Sequence, residues 1–260
     1  MKQILILLTL LITFACNCQN KQQNNESTNC NSDSITQKVQ PIDISIPKNI
    51  LLGKFSPKND TNFIVIPDHM STYKGLYCEK QTFNAYLAMR DSALKDGITL
   101  TIISATRTFN RQRQIWERKW NSQQSTVNSQ QSVDTTLDIS KVRSIMRYSS
   151  MPGTSRHHWG TELDFITTEI AYWNQGEGLR IYNWLCTNAP KFGFFQPYTA
   201  DPSRTGYAEE RWHWSYAPLS KPYLEAYTQQ ITAEDITEFS GSYLVDSLNI
   251  IKTHVLGVTE

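Results

Sequence analysis

The chain has 260 residues, with 25 Lys and Arg against 24 Asp and Glu and a formal net charge of +1. No long basic tract is present to neutralise phosphates, which excludes a nucleic-acid partner, and seven Trp, twelve Tyr and ten Phe exclude a disordered chain. Collagen-like and coiled-coil compositions are absent, so one globular domain of about 200 residues is expected.

Lys2 precedes an apolar run, Ile4 to Phe14. The run is too short to cross a hydrocarbon core of about 30 Å and fits the central region of a signal peptide. Thr13-Phe14-Ala15-Cys16 resembles a bacterial lipoprotein cleavage box, with Thr13 where such boxes usually carry Leu. The resemblance implies lipidation of Cys16 and an exported, periplasm-facing envelope lipoprotein; the other reading is a plain secretory signal with a bystander Cys. From Cys16 to Gln40, sixteen of 25 positions are Asn, Gln, Ser or Thr. Such a stretch buries too little surface to offset its ordering entropy. The expected division is a signal peptide over 1–15, a disordered tether over 16–40 and a folded domain over 41–260. Of five cysteines, only Cys78 and Cys186 fall in the domain. Export permits a disulfide between them; the other reading, small buried apolar residues, suits both. Without a CxxC, a thiolate zinc site is not expected.

Within the domain, Asn62 to Ile66 reads as a strand ended by Pro67. Phe83, Tyr86, Leu87 and Leu94 predict a helix over Gln81 to Asp96, stopped by Gly97. Ile98 to Ser104 alternates and is β-branched, a strand. Asn110 is placed to cap a helix carrying Ile115, Trp116 and Trp120. Residues 121–136 read as an exposed polar loop, and their repeated NSQQS as low complexity. Ile139, Val142 and Met146 share one face of a helix over Asp138 to Tyr148, broken by Met151-Pro152-Gly153. Thr161 to Thr167 is a strand, and Gly178 to Asn188 a helix with Leu179, Tyr182 and Leu185 inward. Phe192 to Phe195 and Gly206 to Tyr216 are extended. Two helices close the chain, Lys221 to Gln230 and about Ala233 to Val255. This irregular mixture predicts an α+β fold, a small antiparallel β-sheet flanked by helices.

The chemistry concentrates in two segments. One runs Ser155-Arg156-His157-His158-Trp159-Gly160-Thr161-Glu162-Leu163-Asp164; the other is Glu210-Arg211-Trp212-His213. Together they supply two imidazoles and a carboxylate for a metal, with another carboxylate close by. Three such ligands hold Zn2+ at about 2.0–2.2 Å and leave a position for water. The ion lowers that water's pKa and polarises a carbonyl, while a carboxylate outside the ligand set moves the proton. Nitrogen and oxygen donors without sulfur suit zinc among divalent metals. His158, adjacent to His157, points away from it and stays outside the ligand set. His69 and His254 have no companions at informative spacing.

The run Ser155-x-His157-x-x-Gly160-x-x-x-Asp164, followed by Glu210-x-Trp212-His213, resembles the SxHxxGxAxD and ExWH motifs of the bacterial zinc D-alanyl-D-alanine carboxypeptidases and dipeptidases (peptidase M15, VanY-like), which include vancomycin-resistance enzymes. Ser104 to Gln112 is similar to their S-x-x-R-S/T-x-x-x-Q run after a strand. Order and spacing agree from residue 98 to 216. The resemblance implies a hedgehog/DD-peptidase-like fold with His157, Asp164 and His213 as zinc ligands and Glu210 as general base. It implies Arg107 as the cation at the substrate carbonyl or oxyanion, Ser155 as a substrate-contacting hydroxyl and Gln112 as a supporting polar residue. Physical chemistry fits these roles: a fixed guanidinium stabilises charge that grows in the transition state, and Trp212 is placed to wall the site against water. Position 162 departs from the pattern, which has Ala where this chain has Glu. On a strand Glu162 shares a face with Asp164, so it either orients a ligand or contacts substrate, or is an edge-exposed carboxylate. Strict alternation would put Glu210 and His213 on opposite faces, so a bend must intervene.

The expected function is a D,D-carboxypeptidase acting on peptidoglycan stem peptides as a lipid-anchored monomer. L,D-carboxypeptidase, endopeptidase and D-Ala-D-Ala dipeptidase activities are alternatives on the same zinc core. An inactive zinc-containing wall-binding lipoprotein is an alternative of another class.

Overall fold

In a computed structural model the described residues are 46–123 and 135–259. The expected signal peptide, the tether and Cys16, and residues 124–134 of the polar insertion, lie outside them.

A short helix, α1 (Lys48–Leu51), leads into a two-stranded antiparallel hairpin of β1 (Phe63–Val65) and β2 (Tyr77–Glu79). Helix α2 (Lys80–Lys95) follows directly, its first turn capped by the Glu79 carboxylate, which accepts from the Thr82 N–H at 2.9 Å. Its buried stripe is Phe83, Tyr86, Met89 and Ala93. Leu94, expected inward, is exposed and Leu87 is only half-buried, because the stripe follows the helical period through Met89 and Ala93 instead.

Strand β3 is limited to Ile102–Ser104. Ile98, Leu100 and Ile102 do alternate into the core, but the ladder beside them is short. The Ile98 N–H returns to the Ala93 carbonyl of α2. Helix α3 (Phe109–Ser122) is capped by Thr108, whose hydroxyl accepts from the Arg111 N–H, and not by Asn110. Helix α4 spans Thr135–Met146. Both ends of the expected polar loop are therefore helical, since nothing in its composition forbids one more turn at either flank.

β4 (Glu162–Phe165) is central and fully buried. Helices α5 (Ile170–Trp173) and α6 (Gly176–Asn188) lead to β5 (Phe194–Phe195). β6 (His213–Tyr216) and helix α7 (Ala217–Gln230) follow. The expected extended run from Gly206 is thus ordered as a strand only in its last four residues. The main sheet is antiparallel, in the order β3-β4-β6-β5. Helices and small antiparallel sheets together make the α+β architecture that the sequence predicts.

The second closing helix does not form. Residues 233–255 instead hold short 3-10 turns at Ala233–Asp235 and Ser242–Leu244 and one π-type turn at Ile251–Val255. Positive φ at Glu238, Gly241 and Asn249 interrupts any continuous right-handed helix. The apolar residues still reach a core: Ile236, Leu244, Val245, Ile250 and Val255 pack with Trp116, Trp159 and Tyr227. A second core, around Tyr86, Phe165, Trp173 and Trp214, lies between the sheet and α2 and α6. Cys78 is buried and Cys186 exposed, and both are free thiols. The disulfide is therefore not made, and Cys186 is not the buried apolar residue expected.

A candidate metal centre and its cleft

Strand pairing assembles the centre. Asp164 on β4 lies directly opposite His213 on β6, and Glu162 opposite Ser215. Alternation sends Leu163 and Phe165 into the core and leaves Glu162 and Asp164 on the other face. His157 arrives from the 3-10 turn Arg156–Trp159, which ends at Gly160 in the left-handed region (φ 77°). A Cβ at Gly160 would stand 2.4 Å from the Phe63 ring, so the turn requires glycine. The bend needed between Glu210 and His213 is a tight turn: the His213 N–H donates to the Glu210 carbonyl at 3.2 Å. It brings both side chains to one side, with a Glu210 Oε2 to His213 Nδ1 separation of 3.9 Å.

The donor atoms converge. His157 Nε2 lies 3.2 Å from His213 Nδ1 and 3.2 Å from Asp164 Oδ2; His213 Nδ1 lies 2.9 Å from Asp164 Oδ1. All three residues are buried, and among the described residues they form the one group of His, Cys, Asp and Glu suited to a metal ion. Tetrahedral zinc at about 2.0–2.1 Å from each donor spaces the donors by about 3.3 Å, so this cluster fits the ion in both chemistry and size. The Nδ1 of His157 is engaged by the Ala105 carbonyl at 2.7 Å, which leaves Nε2 as the donor.

Beside this group a small cleft is lined by Arg107, Ser155, His157, Glu210 and His213, together with Tyr148, Ser150, Tyr198 and Tyr207. Glu210 is buried; burial, with the Asp164 charge adding to it, pushes its carboxyl up to about 7. The Arg107 Nε and the Ser155 Oγ are buried without a protein partner and border the cleft. Unpaired donors of this kind are costly unless something else satisfies them. Gln112 does not line the cleft: its amide donates to the Ser150 carbonyl at 2.7 Å and so supports the lining from behind.

Two placements differ from the sequence reading. Trp212 does not wall the cleft; it is buried in the second core, and its ring lies 6.5 Å from that of Tyr148. The turn at 210–213 directs it there, and the tyrosines supply the wall. Glu162 is not edge-exposed: it is fully buried, and its Oε2 accepts from His213 Nε2 at 2.8 Å. Arg156 is buried beside it, 3.3 Å away. His158, outside the donor set as expected, has a definite task. Its Nδ1 donates to the Arg107 carbonyl at 2.6 Å and its Nε2 accepts from the Gly153 N–H at 3.0 Å. Burial presses its pKa down to about 3, so it is neutral. The tyrosines of the lining were missed because aromatic residues in sequence look the same whether they face a core or a cleft.

A buried His, Asp, His cluster with an adjacent carboxylate and an unpaired arginine, on a small antiparallel sheet, defines a metallopeptidase-type centre. The pattern of the VanY D-alanyl-D-alanine carboxypeptidase family matches residues 75–219, more than half of the chain. The chain belongs to that family. It is 29% identical over 130 residues to a D-alanyl-D-alanine carboxypeptidase of Enterococcus faecalis, covering 50% of this chain and 44% of that protein. It is 26% identical over 217 residues to the putative carboxypeptidase YodJ of Bacillus subtilis, covering 77% of this chain and 71% of that one. The chain thus spans less than half of the Enterococcus relative. Among solved structures it is similar to VanYB in complex with D-alanine-D-alanine, at 22% identity and a TM-score of 0.47, covering 70% of this chain and 90% of that one. It is also similar to the LdcB LD-carboxypeptidase, at 21% identity and a TM-score of 0.49, covering 69% and 77%.

Proposed function

We propose that the chain is a zinc D,D-carboxypeptidase that removes the terminal D-amino acid from peptidoglycan stem peptides. The observation that carries the reading is the convergence of the three donors beside one cleft that the buried Glu210 and Arg107, with its unpaired Nε, also line. His157, Asp164 and His213 would hold a zinc ion, which when bound would supply Lewis acidity at the carbonyl and lower the pKa of water there. Glu210 takes the proton of the attacking water and delivers it to the leaving amine nitrogen as the amide C–N bond breaks. Arg107 donates to the carbonyl oxygen, an interaction that strengthens as negative charge grows there. Ser155 offers its hydroxyl to the bound peptide, and Gln112 keeps Ser150 in the lining.

The rim favours a carboxypeptidase over a dipeptidase. A free dipeptide brings an ammonium that needs its own carboxylate, and Glu210, which the reaction uses, is the carboxylate that lines the cleft among the described residues. The Arg147 guanidinium lies 5.5 Å from the ring of Tyr148, one of the residues that line the cleft. Export and lipidation at Cys16 would place this monomeric domain in the envelope beside its substrate. No helix among the described residues is long and apolar enough to cross a membrane. Mass spectrometry of stem tetra- and pentapeptides after incubation tests the reading. Loss of one D-alanine from the pentapeptide supports it. Cleavage of the tetrapeptide, or in mid-chain, would replace it with an L,D-carboxypeptidase or endopeptidase, and no cleavage of either with the wall-binding lipoprotein.

A further inference from the structure

The side of His213 away from the donors holds a second carboxylate that the reaction does not use. Glu162 Oε2 meets His213 Nε2 at 2.8 Å. Its other oxygen accepts from Thr161 Oγ1 at 3.0 Å and Ser215 Oγ at 2.8 Å, and pairs with Arg156 Nη2 at 3.3 Å. Arg156 is itself fixed. It is 2% exposed, donates to Ser215 Oγ at 2.7 Å, and its guanidinium lies 4.9 Å from the Trp159 ring and 5.8 Å from the Phe195 ring.

We propose that Glu162, clamped by Arg156, is a positioning residue that fixes His213 for metal binding and thereby sets how tightly this chain holds zinc. The argument is one of proton placement. His213 ligates through Nδ1 only when the ring proton is on Nε2. Asp164 Oδ1, 2.9 Å from Nδ1, is an acceptor that would draw the proton to the wrong nitrogen, into the space the metal requires. Glu162 is the competing acceptor on the correct side. With Thr161, Ser215 and Arg156 occupying one oxygen, the other is left aimed at Nε2. The ring is thus held in tautomer and orientation before the ion arrives. A buried ion pair adds little to stability by itself, so its place behind a ligand speaks for positioning. Position 162 is also where this chain departs from the SxHxxGxAxD pattern, so the device belongs to this sequence.

The proposal rests on the zinc reading of the centre and not on the choice of substrate. Its test is the zinc dissociation constant of the purified chain, measured by competition with a chelator. The Co(II)-substituted visible spectrum and far-UV circular dichroism accompany it. Glu162→Gln keeps the shape and removes the charge; zinc binding is expected to weaken by about 10- to 100-fold and the Co(II) bands to shift, with the fold intact. The double variant Arg156→Met/Glu162→Gln leaves no unpaired charge and is expected to lose affinity to the same extent. A folded variant that binds zinc within twofold of the parent, with unchanged Co(II) bands, overturns the proposal. So does unfolding of both variants, which would make the pair purely structural. A parent chain that binds no zinc would instead defeat the metal reading itself.

Discussion

On the β4–β6 side of the cleft, side chains are set by a strand ladder; on the Arg107 side, a loop is set by main-chain bonds. Asp164 and His213 face one another because their strands pair in that register. Arg107 follows the short strand β3, and its peptide is clasped from both ends: its N–H donates to the His157 carbonyl at 2.9 Å and its carbonyl accepts from His158. Two adjacent histidines thus divide the work, His157 serving the metal arm and His158 the arginine arm. A ladder tolerates change in distant residues but not in the donors. A clasped loop depends on small residues that never touch substrate, such as Gly53. A Cβ there would stand 2.3 Å from His158 Nδ1, at a φ of +71°.

The sharpest break in the comparison is loss of the metal arm. Chelation, or His213→Ala, is expected to abolish turnover; added zinc should restore the chelated parent and not the variant, read by peptide release and by bound zinc. Next is Glu210→Ala, which leaves all three donors in place. Cleavage should fall at least about 100-fold with zinc content retained, because the proton transfer is lost and the ligands are not. Unchanged turnover would remove Glu210 as the base.

The metal arm is also the part most legible in sequence. His157, Asp164, Glu210 and His213 stand in two short runs whose residue types suit zinc hydrolysis, and the resemblance orders them. The bend between Glu210 and His213 is required by alternation alone, although its form, a tight turn, is not. The arginine arm is half legible: Arg107 is visible in its motif, whereas Gly53 and Gly153 lie outside any motif and matter only through φ and close approach. Glu162 illustrates the limit differently. Strand alternation puts it beside Asp164, but burial and the Arg156 partner come from β6, α7 and the 3-10 turn meeting in space. The segment 233–255 misled because its apolar content suits a helix, while positive φ at Glu238 and Asn249 carries no sequence signature as plain as the one at Gly241.

Changes to the arginine arm separate the two sides at smaller cost. Arg107→Ala should lower kcat by about 100- to 1000-fold, the range for losing one preorganised donor to the oxyanion, with zinc affinity unchanged. Arg107→Lys should recover only part of this, since a point charge replaces a planar fork. Gly53→Ala should cost about 1–3 kcal/mol of stability through its positive φ and should push His158 off the Arg107 carbonyl. Turnover should then drop while bound zinc stays stoichiometric, measured as unfolding midpoint, rate and metal content on one preparation. If zinc is lost along with activity, the two arms are a single unit and the comparison fails.

The last prediction is one of pH, and it is read at His158. Burial takes this imidazole from an ordinary value of 6.5 down to about 3, while the unfolded chain keeps the ordinary value. The unfolded state therefore binds the proton first as pH falls, so the stability supplied by a neutral His158 is complete above about 6.5 and drains away between there and about 3. Raising pH through that window should stabilise the fold. His158→Gln keeps an amide donor for the Arg107 carbonyl and an oxygen for the Gly153 N–H but has no proton to gain. Compared with the parent by denaturant unfolding of metal-free protein across the window, the variant should show a shallower pH dependence. The two curves should coincide above about 6.5 and part as pH falls, with the variant the more stable at the acid end. Parallel curves would mean that His158 takes up a proton as readily in the folded chain as in the unfolded one, which a ring bonded to a peptide N–H through Nε2 does not allow.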